Sequence, residues 1–154
     1  MLAFLRSFRF AFRGLCVCLR ERNFRFHMTL SAYMYGFLLL HDWFVLTRGE
    51  WAALVLITAL VLGVEALNTA IEAAVDLACP QRHPLAARAK DAGAAAVLLC
   101  SVGAIAVGVV LLWQPEAFRA MFEYYQVRPA MLIPLAVSLI GAAWFIWGVG
   151  RKTV

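Results

Sequence analysis

Ala92 to Trp113 is a run of twenty-two residues without a charged side chain, long enough for a full membrane span. Trp51 to Val64 adds fourteen uncharged residues, and Met131 to Gly150 forms a further apolar stretch of span length. With 64% hydrophobic and 15% charged residues among 154, the chain reads as an all-α membrane protein; a soluble domain would struggle to keep such a composition in solution. No linker, low-complexity tract or internal repeat divides it, so one compact bundle is expected. Cys16, Cys18, Cys79 and Cys100 match neither a zinc site nor a disulfide framework and read as small buried hydrophobes. The first fifteen residues alternate Phe with Arg and lack the pattern of a cleaved secretory signal, so nothing is expected to be removed.

The second uncharged run leads directly into VEALNTAIEAAVD, residues 64 to 76. Glu65, Asn68, Glu72 and Asp76 follow steps of three, four and four. At about 100° per residue they share an arc of roughly 80° on one helix. An ionisable group near the bilayer centre costs about 2.5 to 3.5 kcal/mol on insertion scales, so acids there normally face protein or water and serve a function. The bland alternative is a structural polar seam between packed helices.

Around this stripe the chain organises as a surface helix over 2–22, spans at about 24–46, 51–78 and 85–113, and a segment 115–154 containing an external loop and an additional C-terminal transmembrane helix. Arg6, Arg9, Arg13 and Arg20 align on one face of the first helix, with Phe4, Phe8, Phe12 and Leu15 opposite, the pattern of a helix lying in the membrane plane. Pro80 and Pro84 bracket a short loop holding Gln81, Arg82 and His83, after which Arg88, Lys90 and Asp91 open the next helix. Gly93 to Ala96 then permit close helix approach. The fourth span ends in Arg151 and Lys152.

Eleven of the fourteen Lys and Arg residues fall in the amino-terminal region, the 82–90 region or the tail; only Arg48, Arg119 and Arg128 fall on the other side. The positive-inside rule therefore places both termini and the acidic stripe at the cytoplasmic face. Counted from Trp51 as an outer anchor, Glu65 lies roughly 21 Å along the axis, just below the inner headgroups. Glu72 and Asp76 lie further along and emerge at the water interface.

Such a stripe suits chemistry that joins a water-soluble anionic substrate to a polar group at a lipid headgroup. A carboxylate at headgroup depth can accept a hydroxyl proton, and carboxylates at the water interface can hold Mg²⁺ bound to phosphates. Phosphoryl transfer needs both, together with cationic donors, for which Lys90 is the candidate. No Walker-type glycine loop is present, so a nucleotide would be held by side chains and metal.

At these residues the chain resembles the prokaryotic diacylglycerol kinase family, small integral-membrane lipid kinases that include undecaprenol kinase. VEALNTAIEAAVD at 64–76 and HPLAARAKDAGAAAV at 83–97 are similar to the family signature in type, order and spacing, and RERNFRFH at 20–27 is similar to its amino-terminal motif, particularly in the undecaprenol kinase branch. The likeness covers roughly Arg6 to Trp113 and is loose before Gly14; the fourth span departs from the basic family pattern. It implies a homotrimer in the bacterial inner membrane, with ATP as co-substrate, a Mg²⁺ requirement, and cytoplasmic-face active sites shared between subunits; no nucleic-acid partner is implied. It also implies roles. Glu65 would be the general base on the lipid hydroxyl, and Glu21 and Glu72 would coordinate the metal. Asn68, Asp76, Lys90 and Asp91 would position the phosphates, and Gln81, Arg82 and His83 would contact the nucleotide. The lipid would be diacylglycerol or undecaprenol, with RERNFRFH tilting the reading toward undecaprenol.

The competing reading is a small ion or proton transport subunit using the stripe as its path. It calls for ionisable groups continuing toward the outer face, and neither Trp51–Val64 nor Ala92–Trp113 supplies one.

Overall fold

A computed structural model describes residues 2–148; the expected end of the fourth span at Gly150, with Arg151, Lys152 and Thr153, lies outside the described residues. The described residues form six α-helices: α1 (Leu2–Cys18), α2 (Arg22–Leu40), α3 (Arg48–Ala78), α4 (Pro84–Leu112), α5 (Pro115–Val127) and α6 (Leu132–Gly148). A single 3-10 turn at Pro129–Met131 leads into α6.

The longest helices start where local chemistry demands. Thr47 and Glu50 form a capping box at the head of α3, with the Glu50 carboxylate accepting from the Thr47 N–H at 2.6 Å and the Thr47 hydroxyl accepting from the Glu50 N–H at 3.3 Å. Pro84 opens α4, and His83 Nδ1 accepts from the Leu85 N–H at 3.2 Å. At 31 residues α3 is roughly 46 Å long, well beyond a hydrocarbon core of about 30 Å. Its last turns therefore have length to leave the membrane.

Among the described residues, three helices are long and apolar enough to cross a membrane: Arg48–Ala78, Pro84–Leu112 and Pro129–Gly148. Of the four expected spans, the first, at 24–46, is not among them. Its helix begins at Arg22, carries Arg25 and His27 in its first turns, and stops at Leu40. The chain from 41 to 47 is irregular and is packed by rings: His41 stacks on Trp43 at 3.8 Å between centroids, and Tyr124 meets both edge-on.

Two further boundaries differ from the sequence reading. The surface helix ends at Cys18, because Arg20 and Glu21 turn back to the Val17 and Cys18 carbonyls, both at 2.9 Å. The segment read as an external loop contains α5, with Pro115 at its first position and Glu116 in its first turn. Its apolar residues Ala117, Phe118, Met121, Phe122 and Tyr125 follow helical spacing, and Ala117 is buried.

α3 and α4 form the main helical pair, and α2 packs against α3 on one side and α6 on the other. Much of the apolar surface faces outward: Gly93 is the one buried residue of α4. For helices of this composition, lipid or further copies of the chain are the natural cover.

Candidate active site

The helical period places Glu65, Asn68, Glu72 and Asp76 along one stripe of α3, and burial divides them. Glu65 is 2% exposed and Asn68 8%, whereas Glu72 and Asp76 are exposed. The Asn68 amide donates to Glu72 Oε1 at 2.8 Å, a bridge from the buried half to the exposed half.

Gly93 of α4 explains how Asn68 is enclosed. A Cβ at this position would run into Asn68 Oδ1, so only glycine lets the two helices approach so closely. The amide oxygen is thereby buried without a hydrogen-bond partner. An orphaned buried acceptor costs about 1 to 3 kcal/mol, which marks it as more than a packing contact.

Glu65 has a similar character. Its Oε1 is buried without a hydrogen bond, and His27 Nε2 of α2 lies 3.4 Å away, a charged pair only when the imidazole is protonated. Glu21, at the N-cap of α2, and Glu72 both lie close enough for their charges to act on Glu65. The surface-helix turn and α3 thus bring three carboxylates, Glu21, Glu65 and Glu72, into one electrostatic neighbourhood. Among the described residues, however, no set of three or more His, Cys, Asp or Glu side chains is grouped closely enough to hold a metal by itself.

At the exposed end Lys90 Nζ donates to Asp76 Oδ1 at 2.6 Å. Both line an open cavity of about 540 Å³ with Gln81, Arg82 and His83. The α3–α4 loop residues and the Asp76–Lys90 pair therefore share one surface. Asp91 stands apart, exposed, its side chain making no hydrogen bond or ion pair among the described residues.

A second cavity, about 640 Å³ and predominantly apolar, lies between α2, α3 and α4. His27, beside Glu65, lies at one end; Leu38, Thr58 and Val61 line its length, and Phe118 and Met121 of α5 stand on it too. Ser101 contributes a buried hydroxyl without a partner. A space of this shape accepts an apolar chain, and His27 links its lining to the Glu65 carboxylate.

Two side chains of this region were not singled out by the sequence: His27, whose contact with Glu65 crosses from α2 to α3, and Arg25, which is buried beneath α6. Both lie in RERNFRFH, and their partners are remote in the chain.

Comparison with known proteins now bears on this geometry. The family model described as prokaryotic diacylglycerol kinase matches residues 9–112. An undecaprenol kinase of Bacillus subtilis is 39% identical over 111 residues, covering 70% of this chain and 86% of the relative. A diacylglycerol kinase of Synechocystis is 43% identical over 114 residues, 72% of this chain and 63% of the relative. One from Pseudomonas aeruginosa is 41% identical over 92 residues, 60% and 68% respectively. The family match ends at the last residue of α4, so α5 and α6 lie beyond it.

Proposed function

The chain belongs to the prokaryotic diacylglycerol kinase family of ATP-using lipid kinases, and from that premise we propose that it phosphorylates a membrane lipid alcohol with Glu65 as general base. The observation that carries the assignment is the buried, unbonded Glu65 carboxylate oxygen beside an apolar cavity, joined through Asn68 to carboxylates that face water.

In this reading the lipid tail occupies the apolar cavity and its hydroxyl meets Glu65. The hydroxyl oxygen attacks the γ-phosphorus of ATP while its proton passes to the Glu65 carboxylate. The new O–P bond forms, the bond to the bridging β-phosphate oxygen breaks, and ADP leaves carrying that oxygen. Glu65 then returns its proton to water. General-base assistance of this kind contributes about 10² to 10⁴ in rate.

Glu21 and Glu72 would hold Mg²⁺. Their hard carboxylate oxygens suit that ion, which takes one or two carboxylates and completes its shell with phosphates and water, so the lack of a three-ligand protein cluster fits. When bound, the ion neutralises charge on the phosphates as it is redistributed. The Asn68 amide holds one Glu72 oxygen and leaves the other free. Lys90, Arg82 and His83 offer donors to the phosphates from the open cavity at the α3–α4 loop, with Asp76 and Gln81 shaping it. Asp91 belongs to this group by resemblance alone.

The kinase core is proposed to extend over 1–114, the remainder being an appended segment. Four crossings are proposed, with the short α2 completing its span through the ring-packed 41–47 segment, and the charge distribution supports a cytoplasmic active face and cytoplasmic termini. A homotrimer with shared sites is supported by the outward apolar surface of α4. Of the two lipids, RERNFRFH and the likeness to a Bacillus subtilis undecaprenol kinase favour undecaprenol.

Purified protein in mixed micelles, given radiolabelled ATP and Mg²⁺, tests this with diacylglycerol and undecaprenol offered in parallel. The expected result is label in undecaprenol above diacylglycerol; label in neither lipid, from folded protein, contradicts the kinase reading.

A further inference from the structure

α6 lies outside the family-matched region, yet its last turn is tied to the edge of the proposed site. The tie is Arg25, 3% exposed. Its Nη1 donates to the carbonyls of Leu19 at 3.1 Å and Arg20 at 2.7 Å, and its Nη2 donates to the carbonyl of Ile146 at 2.8 Å. The Phe145 ring lies 5.9 Å from the guanidinium carbon. Among the described residues no carboxylate pairs with Arg25, so this buried cation is held by carbonyls, one of them in the last described turn of α6.

These contacts bracket Glu21. Leu19 and Arg20 immediately precede it, and the Arg25 backbone N–H donates to the Glu21 carbonyl at 3.2 Å. One residue thus fixes the Glu21 backbone from both sides while gripping the last described turn of α6. Near the other end of α6, the Tyr33 hydroxyl donates to Ser138 Oγ at 2.9 Å, which sets the register of α6 along α2.

We infer that Arg25 is a positioning residue through which the C-terminal helix sets the place of Glu21, and hence of the Mg²⁺ and ATP phosphates. The inference rests on the kinase reading above. It gives the appended helix a role in the reaction without contact to any reacting group. A planar fork able to reach three carbonyls suits arginine; a lysine ammonium in the same place cannot match it.

The native thiol Cys18 reports on the same turn independently of activity. It is 7% exposed, and burial pushes the thiol up from its ordinary value, so alkylation should be slow while the turn is held. The test uses the full chain with Cys16, Cys79 and Cys100 replaced by Ser. Arg25→Gln, Arg25→Lys and Phe145→Ala are compared for the Mg²⁺ midpoint of phosphate transfer and for the rate of Cys18 alkylation.

Arg25→Gln should raise the Mg²⁺ midpoint about tenfold or more, the scale of losing an outer-shell partner, and speed Cys18 alkylation. Arg25→Lys should fall between it and wild type, and Phe145→Ala should move both readouts the same way by less. A merely structural role would lower the folded fraction without moving the midpoint. Wild-type midpoints and alkylation rates in the variants, in protein that transfers phosphate and loses transfer with Glu21→Gln, overturn the inference and leave the kinase reading standing. Transfer to no lipid by wild type overturns both. Should Arg25→Gln not fold, Phe145→Ala decides alone.

Discussion

The two halves of the α3 stripe share one helix, one period and nearly one set of side chains, yet they live in different solvents. Glu65 and Asn68 are buried, each with a polar atom lacking a hydrogen bond. Glu72 and Asp76 are exposed, and each accepts a hydrogen bond, from Asn68 and Lys90 respectively. On the proposed function, the buried carboxylate takes the hydroxyl proton and the exposed ones serve metal and phosphate. The difference teaches that helical spacing selects the face and depth selects the chemistry.

The sharpest way to break this division is Glu65→Gln, which keeps shape and removes the proposed base. Phosphate transfer should fall by about 10² to 10⁴, read as the initial rate at saturating lipid. Next is Gly93→Ala, which drives a methyl into the Asn68 amide at the junction of the halves. It should destabilise the protein by about 1 to 3 kcal/mol, measured by unfolding in detergent, and should weaken the α3–α4 pair before it touches the exposed end.

A smaller effect is expected from Asp76→Asn. The Asp76–Lys90 pair is largely exposed and contributes little to stability, so unfolding should be nearly unchanged while the KM for ATP rises severalfold. Smallest of all is a change at the far end of the bundle. Gln114 exchanges two hydrogen bonds with the Val45 backbone, both at 3.1 Å, and ties the 41–47 segment to the end of α4. Gln114→Leu should cost about 1 kcal/mol or less and leave the KM for ATP at its wild-type value. A kinetic change there would mean that this end of the bundle takes part in the chemistry.

The stripe itself was legible because it is local: four residues at helical steps on an apolar segment need no knowledge of the rest of the fold. So was the start of α4, since Pro84 and the polar residues before it act within a single turn. α5 was missed although its Pro115 start and amphipathic spacing are written in the sequence, because polar and aromatic residues between two spans read as loop. The Gly93 contact with Asn68 was visible only as a small-residue run, without its partner. Arg25 and His27 were illegible as site residues for a different reason. One binds a carbonyl 121 residues away and the other meets a carboxylate on the next helix, and no periodicity encodes such meetings. Arg25 in particular appeared as one positive charge among six, when burial makes it unlike the others.

The central claim, that one helix divides proton transfer from nucleotide binding by depth, is tested most directly by measuring Mg·ATP binding for Glu65→Gln and Glu72→Gln side by side. The account predicts a split: Glu65→Gln binds Mg·ATP as wild type does though its phosphate transfer falls by about 10² to 10⁴, and Glu72→Gln loses the binding. Equal loss of binding in both, or wild-type binding in both, would contradict it.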